Sequence, residues 1–504
     1  MNKIHFNKSL KPLLFLLVFI ATISCNNDLE EVLKGDLSES TIKTQSDAIA
    51  LVDGIYNGLL DGGFGYYASG SMAYITDGIT DVFKLGGDPG LRISNLEQYR
   101  WGDDNIANDP WGSIYKVIDR ANWALKLIEG MDDEVFKDAD TKNRLLGEAS
   151  FLRGLAYFDL VGIYGGVPLK LKPTESDGVG LSRSSTSDVY IQIEKDLNYA
   201  IENLAFKGGS PGRANKAAAH GILAKALLRQ GKWDEAKVNI DAIIASGAHD
   251  LFVEGSFLEL FYESNRLDNE IIFSVLSMGE SYYEATNHHI KFFTPWNYDT
   301  GWSTVGMPPT LFSQIEPGDS RLEVYFDVYP TFAGGTENAI EQYNLVINRK
   351  FGHYNRDITA PGYGYDAYKN YAMSKLGVPI LRYSDVLLLK ADIENELNGP
   401  NAEAYSAINQ VRNRAGLGDL PEGLGKSEFT EAVLKERAIE LAAEGHRKDD
   451  LIRHNIFEST MTQYLLDQGY AFPVTVTPAH KLMPIPRTEL DLNPNMDPNP
   501  SNDF

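Results

Sequence analysis

The chain has 504 residues, of which 43% are hydrophobic and 11% aromatic, so it can bury a large core and is not a disordered polymer. Its formal net charge of −24 leaves no basic stripe to neutralise phosphates, which argues against nucleic-acid binding and against peripheral attachment to anionic lipid. It has one cysteine, so it carries no internal disulfide.

That cysteine, Cys25, closes the first predicted element. A basic start with Lys3, Lys8 and Lys11 is followed by the eleven-residue apolar run Leu13 to Ile23, then Ser24-Cys25. Eleven residues are too few to span a bilayer as a helix, so residues 1–24 are expected to be an export signal, cleaved before a lipidated Cys25. The alternative is an ordinary secretory signal with an incidental cysteine. Ile23 stands one position later than the large aliphatic residue of a typical lipobox. The polar, acidic stretch 25–41 is expected to be a tether between lipid and body.

From Gln45 the pattern turns helical, with Ala48, Leu51, Val52, Ile55, Tyr56 and Leu59 at three- and four-residue steps. Asp109-Pro110 marks an N-cap followed by proline at the first helical position, and Gly130 ends that helix. Further helices are predicted near 142–161, 187–204, 214–230, 233–246, 383–398, 401–415 and 428–444. Adjacent ones pair. Ala217 to Ile244, interrupted at Gln230-Gly231-Lys232-Trp233, has the spacing of a tetratricopeptide repeat; Tyr383–Leu397 with Ala402–Ala415 matches more loosely.

The stretch 247–380 differs. Helical periodicity fades, short β-like runs appear at Ile271–Leu276 and Tyr343–Ile347, and 24 of its 134 residues are aromatic, about 18%. Loops on a rigid scaffold are where binding groups gather. The end of the chain, Leu482 to Phe504, is rich in Pro, Asn and Asp and is expected to run as extended chain.

Several motifs, in order, carry a family likeness: Trp111-Gly-Ser-Ile-Tyr115 with Asn122; Glu148-Ala-Ser-Phe-Leu-Arg153 with Tyr164-Gly-Gly-Val-Pro168; Arg382-Tyr-Ser-Asp385; Ile408-Asn-Gln-Val-Arg412 with Arg414; Glu436-Arg437 with Glu440, Glu444, Gly445, His446 and Arg447; and Leu482-Met-Pro484-Ile-Pro486. In these the chain resembles the SusD/RagB family of outer-membrane nutrient-binding lipoproteins. The resemblance implies a mainly α fold, with tetratricopeptide-like helical repeats supporting an irregular, loop-rich ligand-binding part with short β-strands. On this chain that reads as one domain over 42–504, with a helical scaffold at about 42–246 and 383–504 and an insert at about 247–382. It further implies a lipid-anchored protein at the outer-membrane cell surface, with no enzymatic activity and no cofactor. Such a protein captures oligosaccharides, or peptides in some members, and delivers them to a SusC-like TonB-dependent transporter. A helical glycoside hydrolase and a tetratricopeptide adaptor that binds only protein are the rival readings.

Sugar recognition needs flat apolar faces for C–H groups and polar groups for hydroxyls. Trp296, Asn297, Tyr298 and Trp302 offer that combination in one Pro- and Gly-containing loop. The resemblance draws a second set of contacts from the early segment, where Tyr66, Tyr67, Asp77, Asp81 and Lys84 lie. Trp101, Trp111, Trp123 and Trp233 are assigned to packing. The charged run Glu436, Arg437, Glu440, Glu444, Arg447 reads as ion pairing between neighbours on one helix, not as acid/base chemistry. No metal set is expected: His288-His289 lacks a third ligand. Gly208-Gly-Ser210-Pro-Gly212 fits a nucleophile elbow only in spelling, since it follows a helix and Pro211 lacks the N–H an oxyanion hole needs.

Overall fold

Helices begin where the sequence supplies caps. In the computed structural model, Thr44 accepts from the Asp47 backbone N–H while Asp47 reaches back to Thr44, a capping box that opens α1 (Gln45–Gly58). Asp138, Ser185, Asn215 and Asn401 cap four later helices in the same way with a single side-chain acceptor. The structure describes residues 42–60, 66–67, 70–85, 94–101, 109–174, 180–208, 210, 212–277, 293, 305–330, 335–351, 376–470 and 474–500. Cys25 and the tether therefore lie outside the described residues, as do Trp296, Asn297, Tyr298 and Trp302.

After α1 come α2 (Ser71–Thr76), α3 (Asp109–Glu129), α4 (Ala139–Tyr164), α5 (Thr186–Asn203), α6 (Lys216–Arg229) and α7 (Trp233–Ser246). Each helix from α3 to α6 packs on the next, and α6 with α7 is the pair read from the repeat spacing. A second helical group follows the insert: α8 (Tyr383–Asn398), α9 (Ala402–Arg414), α10 (Lys426–Glu440), α11 (Arg447–Arg453) and α12 (Phe457–Asp467). Helix α8 packs on both α7 and α9, which joins the two groups. The fold is mainly α, and residues 44–504 form one compact unit.

The strands are short and lie mostly in the insert. A four-stranded antiparallel sheet has the order β1 (Lys84–Leu85), β3 (Val305–Met307), β7 (Val346–Asn348), β4 (Tyr325–Phe326). Strand β2 (Ile271–Val275) pairs with β8 (Val378–Arg382), and β5 (Val328–Pro330) pairs with β6 (Thr336–Asn338). In the β1–β3 ladder Lys84 faces Gly306 and Leu85 faces Val305. The early segment is thus stitched to a strand of the insert.

Three expectations are corrected. Residues Ala339–Tyr343 form a short helix ahead of β7, so the β-like run there starts at Val346. The C-terminal stretch contains a helical turn at Arg487–Leu492. Helix α10 stops at Glu440 instead of running to Glu444, and Ala443 sits in the left-handed region at φ 69°. The cause is tertiary: Lys350 Nζ donates to the carbonyls of Glu440 and Ala442, and Arg382 also donates to Glu440 O, so these carbonyls are satisfied without another helical turn.

Among the described residues no helix is long and apolar enough to cross a membrane.

Candidate functional site

The insert is held to the scaffold by two buried systems. The first is aromatic. Tyr74 of α2 meets Phe83 edge-on at 6.0 Å, Phe83 meets Phe293 at 5.9 Å, Phe293 meets Phe351 at 5.4 Å, and Phe351 meets Phe261 at 5.9 Å. Edge-to-face contacts match the positive rim of one ring to the negative face of the next. Phe293 is 2% exposed and lies three positions before Trp296. Phe293 itself is therefore held between the early segment on one side and Phe351, just past β7, on the other.

The second system is ionic. Arg382 donates to Glu270, Glu440 and Glu444; Arg321 donates to Asp319 and Glu440 and pairs with Glu436; Arg414 pairs with Glu270 and Glu440; Lys350 pairs with Glu444. Despite burial, which opposes ionisation, the facing guanidinium and ammonium groups hold Glu440 and Glu444 below the usual carboxylate range. The charged run from Glu436 to Arg447 is structural, but its partners are not i,i+4 neighbours. The three glutamates meet cations of the insert, Arg382 and α9, whereas Arg437 pairs with Asp385 of α8 and Asp450 of α11, and Arg447 with Asp81 of the early segment.

Around the early segment the polar groups converge on four carboxylates, Glu97, Asp77, Asp81 and Asp159. Glu97 accepts from Lys84 Nζ at 3.0 Å, from the Leu85 N–H at 3.2 Å and from Tyr464 Oη at 2.9 Å. Asp77 accepts from the backbone N–H of Gly445 at 2.8 Å and of Arg447 at 3.1 Å, while Arg447 grips Asp81 with two bonds of 2.8 Å. Burial, partly opposed by those two N–H bonds, raises the Asp77 carboxyl to about 7. Tyr66 and Tyr67 both donate to Asp159 Oδ2 at 2.6 Å, and burial raises that carboxyl to about 6.

These placements bear on the early ligand-contact set. Tyr66, Tyr67, Asp77 and Lys84 are all buried, and their polar ends are taken by protein partners. Only Asp81 keeps partial exposure, and it is paired with Arg447. The other four side chains are withdrawn from the surface and engaged inside the protein, a geometry that suits support of the early segment. Their partners come from far along the chain, which no local pattern discloses. Missed altogether were Phe83, Glu97 and Tyr464; the apolar Phe83 beside Lys84 was the available signal. Trp101 and Trp111 are buried as assigned, whereas Trp123 and Trp233 are only half-buried. Beside Trp101, Tyr99 is held at φ 55°, a costly conformation for an aromatic residue, with its hydroxyl donating to Ile79 O.

Two cavities adjoin this region. One of about 70 Å³ is walled by Tyr67, Thr76, Asp159 and His446. A larger one of about 630 Å³ lies on the scaffold between α4, α5, α6, α8 and α11. They share Lys225, Arg229, His446 and Asp449 as walls. Among the described residues no cluster of His, Cys, Asp and Glu could hold a metal ion.

A helical scaffold carrying an aromatic-rich insert defines a SusD-like protein. The model described as SusD family matches residues 320–501, and the model described as "Starch-binding associating with outer membrane" matches residues 37–228. The chain belongs to the SusD/RagB family. SusD-like protein P2 of Formosa agariphila is 27% identical over 514 residues, spanning 96% of this chain and 98% of that one. Starch-binding protein SusD of Bacteroides thetaiotaomicron is 25% identical over 438 residues, 76% of each chain. Among solved structures, a laminarin-binding SusD-like protein superposes with a TM-score of 0.74 at 26% identity, covering 91% of this chain and 99% of its own. Surface glycan-binding protein A from Bacteroides uniformis gives a TM-score of 0.76 at 20% identity, with 91% and 100% covered, a likeness of fold.

Proposed function

We propose that this protein is a cell-surface glycan-binding lipoprotein that captures oligosaccharides and hands them to a SusC-like TonB-dependent transporter, breaking no bond itself. Trp296, Asn297, Tyr298 and Trp302 are the proposed contacts: the rings stack on sugar C–H faces, and the amide and phenol bond hydroxyls. Tyr66, Tyr67, Asp77, Asp81 and Lys84 are given a supporting role: Asp77 and Asp81 hold the early segment against the α10–α11 turn, the two tyrosines hold it to Asp159 of α4, and Lys84 holds it to Glu97. Lipidation at Cys25 would keep the body at the outer membrane, and tethering raises its effective concentration at a transporter.

One observation carries the reading: Phe293, deeply buried between Phe83 and Phe351, fixes the root of the aromatic loop to the rigid body. A binding loop anchored this close to its contact residues pays less ordering entropy when ligand arrives. The laminarin-binding relative supports a glycan as the ligand class. The test is a glycan panel incubated with the purified protein. Binding with no new reducing ends is expected, and Trp296→Ala with Trp302→Ala should abolish it while leaving the melting temperature nearly unchanged. Sustained release of reducing ends, or binding indifferent to both substitutions, would overturn it.

A further inference from the structure

The 630 Å³ cavity is too large to be a packing defect. Protein interiors pack like organic crystals, with few voids beyond the size of a water molecule, whereas ligand pockets run to about 300–1,000 Å³. It also has a definite form. Its floor is buried and includes Tyr190, Leu228, Leu389 and Arg437; its mouth is exposed or half-exposed and includes Thr186, Trp233, Asn455 and Lys481.

Its walls indicate what it would hold. The cations facing it already have carboxylate partners: Lys225 with Asp385, Arg229 with Asp449, Arg437 with Asp385 and Asp450, Arg453 with Asp392, Lys481 with Glu458. An anion or a cation entering would have to compete with one of these pairs, at the cost of leaving a buried charge uncompensated. A neutral ligand rich in hydroxyls need not: ion-paired groups retain lone pairs and N–H directions for further hydrogen bonds. Trp233 completes the fit. At the mouth its indole is half-buried instead of packed away, a flat apolar face beside a polar wall, which is the pairing sugar rings require. Gly162 preserves the wall: a Cβ there would lie 2.5 Å from Arg229 Nη1, which donates to Phe158 O.

We infer that this cavity is a second ligand site, for a neutral mono- or disaccharide entering past Trp233. It shares no residue with the aromatic loop and stands whether or not that loop binds glycan.

The test uses the full chain carrying Trp296→Ala and Trp302→Ala, so that the loop cannot contribute. Maltose, laminaribiose, cellobiose and xylobiose are each titrated to high millimolar concentration while the Trp233 indole N–H resonance, assigned through Trp233→Phe, is followed. A saturable shift with at least one of the four is expected, and it should vanish in Thr186→Phe, which fills the mouth from an exposed position and leaves the melting temperature unchanged. A resonance unmoved by all four sugars, or a shift that persists in Thr186→Phe, would overturn the inference.

Discussion

Phe293 meets Phe83 edge-on, ring centroids 5.9 Å apart and planes at 84°, and this contact joins the residue three positions before Trp296 to a segment some two hundred residues earlier in the chain. The contact predicts a coupling between loop anchorage and glycan binding. Phe293→Ala should weaken binding and destabilise the fold by about 3–5 kcal/mol, the usual cost of emptying a buried phenylalanine site. The informative measurement is a double-mutant cycle with Phe83→Leu and Phe293→Leu, read on binding affinity. A coupling of about 0.5–1.5 kcal/mol is expected for an edge-to-face pair. Additive effects on affinity, with coupling confined to thermal stability, would reduce Phe293 to a core residue.

Arg382 is fully buried and donates to three carboxylates, Glu270, Glu440 and Glu444, as well as to the Glu440 carbonyl. Arg382→Ala leaves negative charge in the interior, and urea denaturation should register a loss of about 3–5 kcal/mol. Arg382→Lys should not rescue it, because a single ammonium cannot reach three acceptors in the planar fork geometry. Arg487→Ala, which removes an exposed pair with Asp491, is the control and should leave stability unaltered. A similar small effect from both would mean that the ionic hub does not hold the insert.

Asp77 makes a prediction about pH. Its carboxyl is raised from 3.8 to about 7, so an unfolded chain releases this proton well before the folded one does. The stability it contributes is whole below pH 3.8 and is lost as pH climbs through about 7, by up to about 1.4 kcal/mol per pH unit in between. Asp77→Asn does not titrate. The melting temperature of the variant, minus that of the unmodified protein, should therefore rise from about pH 5 to about pH 8, whatever offset the lost carboxylate imposes. A flat or falling difference across that window would mean that Asp77 is ionised in the folded protein at neutral pH.

The helical scaffold was largely legible because its signals are local. Trp233–Ser246 and Tyr383–Asn398 are found at the bounds their periodicity predicts, and Asn215 and Asn401 cap helices where the pattern starts. Legibility failed where a distant group decides. Leu441 to Glu444 keeps a helical pattern, yet Lys350 and Arg382 claim the carbonyls that another turn would have used. Tyr66 and Tyr67 read as an aromatic surface pair until Asp159, on a helix more than ninety positions away, takes both hydroxyls. Asp81 likewise waits for Arg447, at the opposite end of the fold in sequence. An aromatic or acidic residue near a glycine-rich turn shows that something polar will meet it, but not whether that partner is ligand or protein.

The same two tyrosines separate support from contact. Tyr67→Phe deletes one of the 2.6 Å bonds to Asp159 without opening a cavity. It should cost about 1–3 kcal/mol of stability, since a buried carboxylate loses a donor. Glycan affinity should change less than threefold if Tyr67 only supports the early segment. A tenfold loss of affinity at unchanged stability would instead place the Tyr67 hydroxyl in contact with sugar.

Cys25 tests the anchor apart from the body. Acyl chains at this position would supply membrane affinity at about 0.8 kcal/mol per buried CH₂, whereas a net charge of −24 brings no overall electrostatic attraction to anionic lipid. Cys25→Ser, expressed in a host that processes lipoproteins, should move the protein from the membrane fraction to the soluble one. Its glycan affinity, measured on the released protein, should match that of the detergent-extracted form. Retention of the serine variant in the membrane fraction would show that attachment does not depend on lipidation at Cys25.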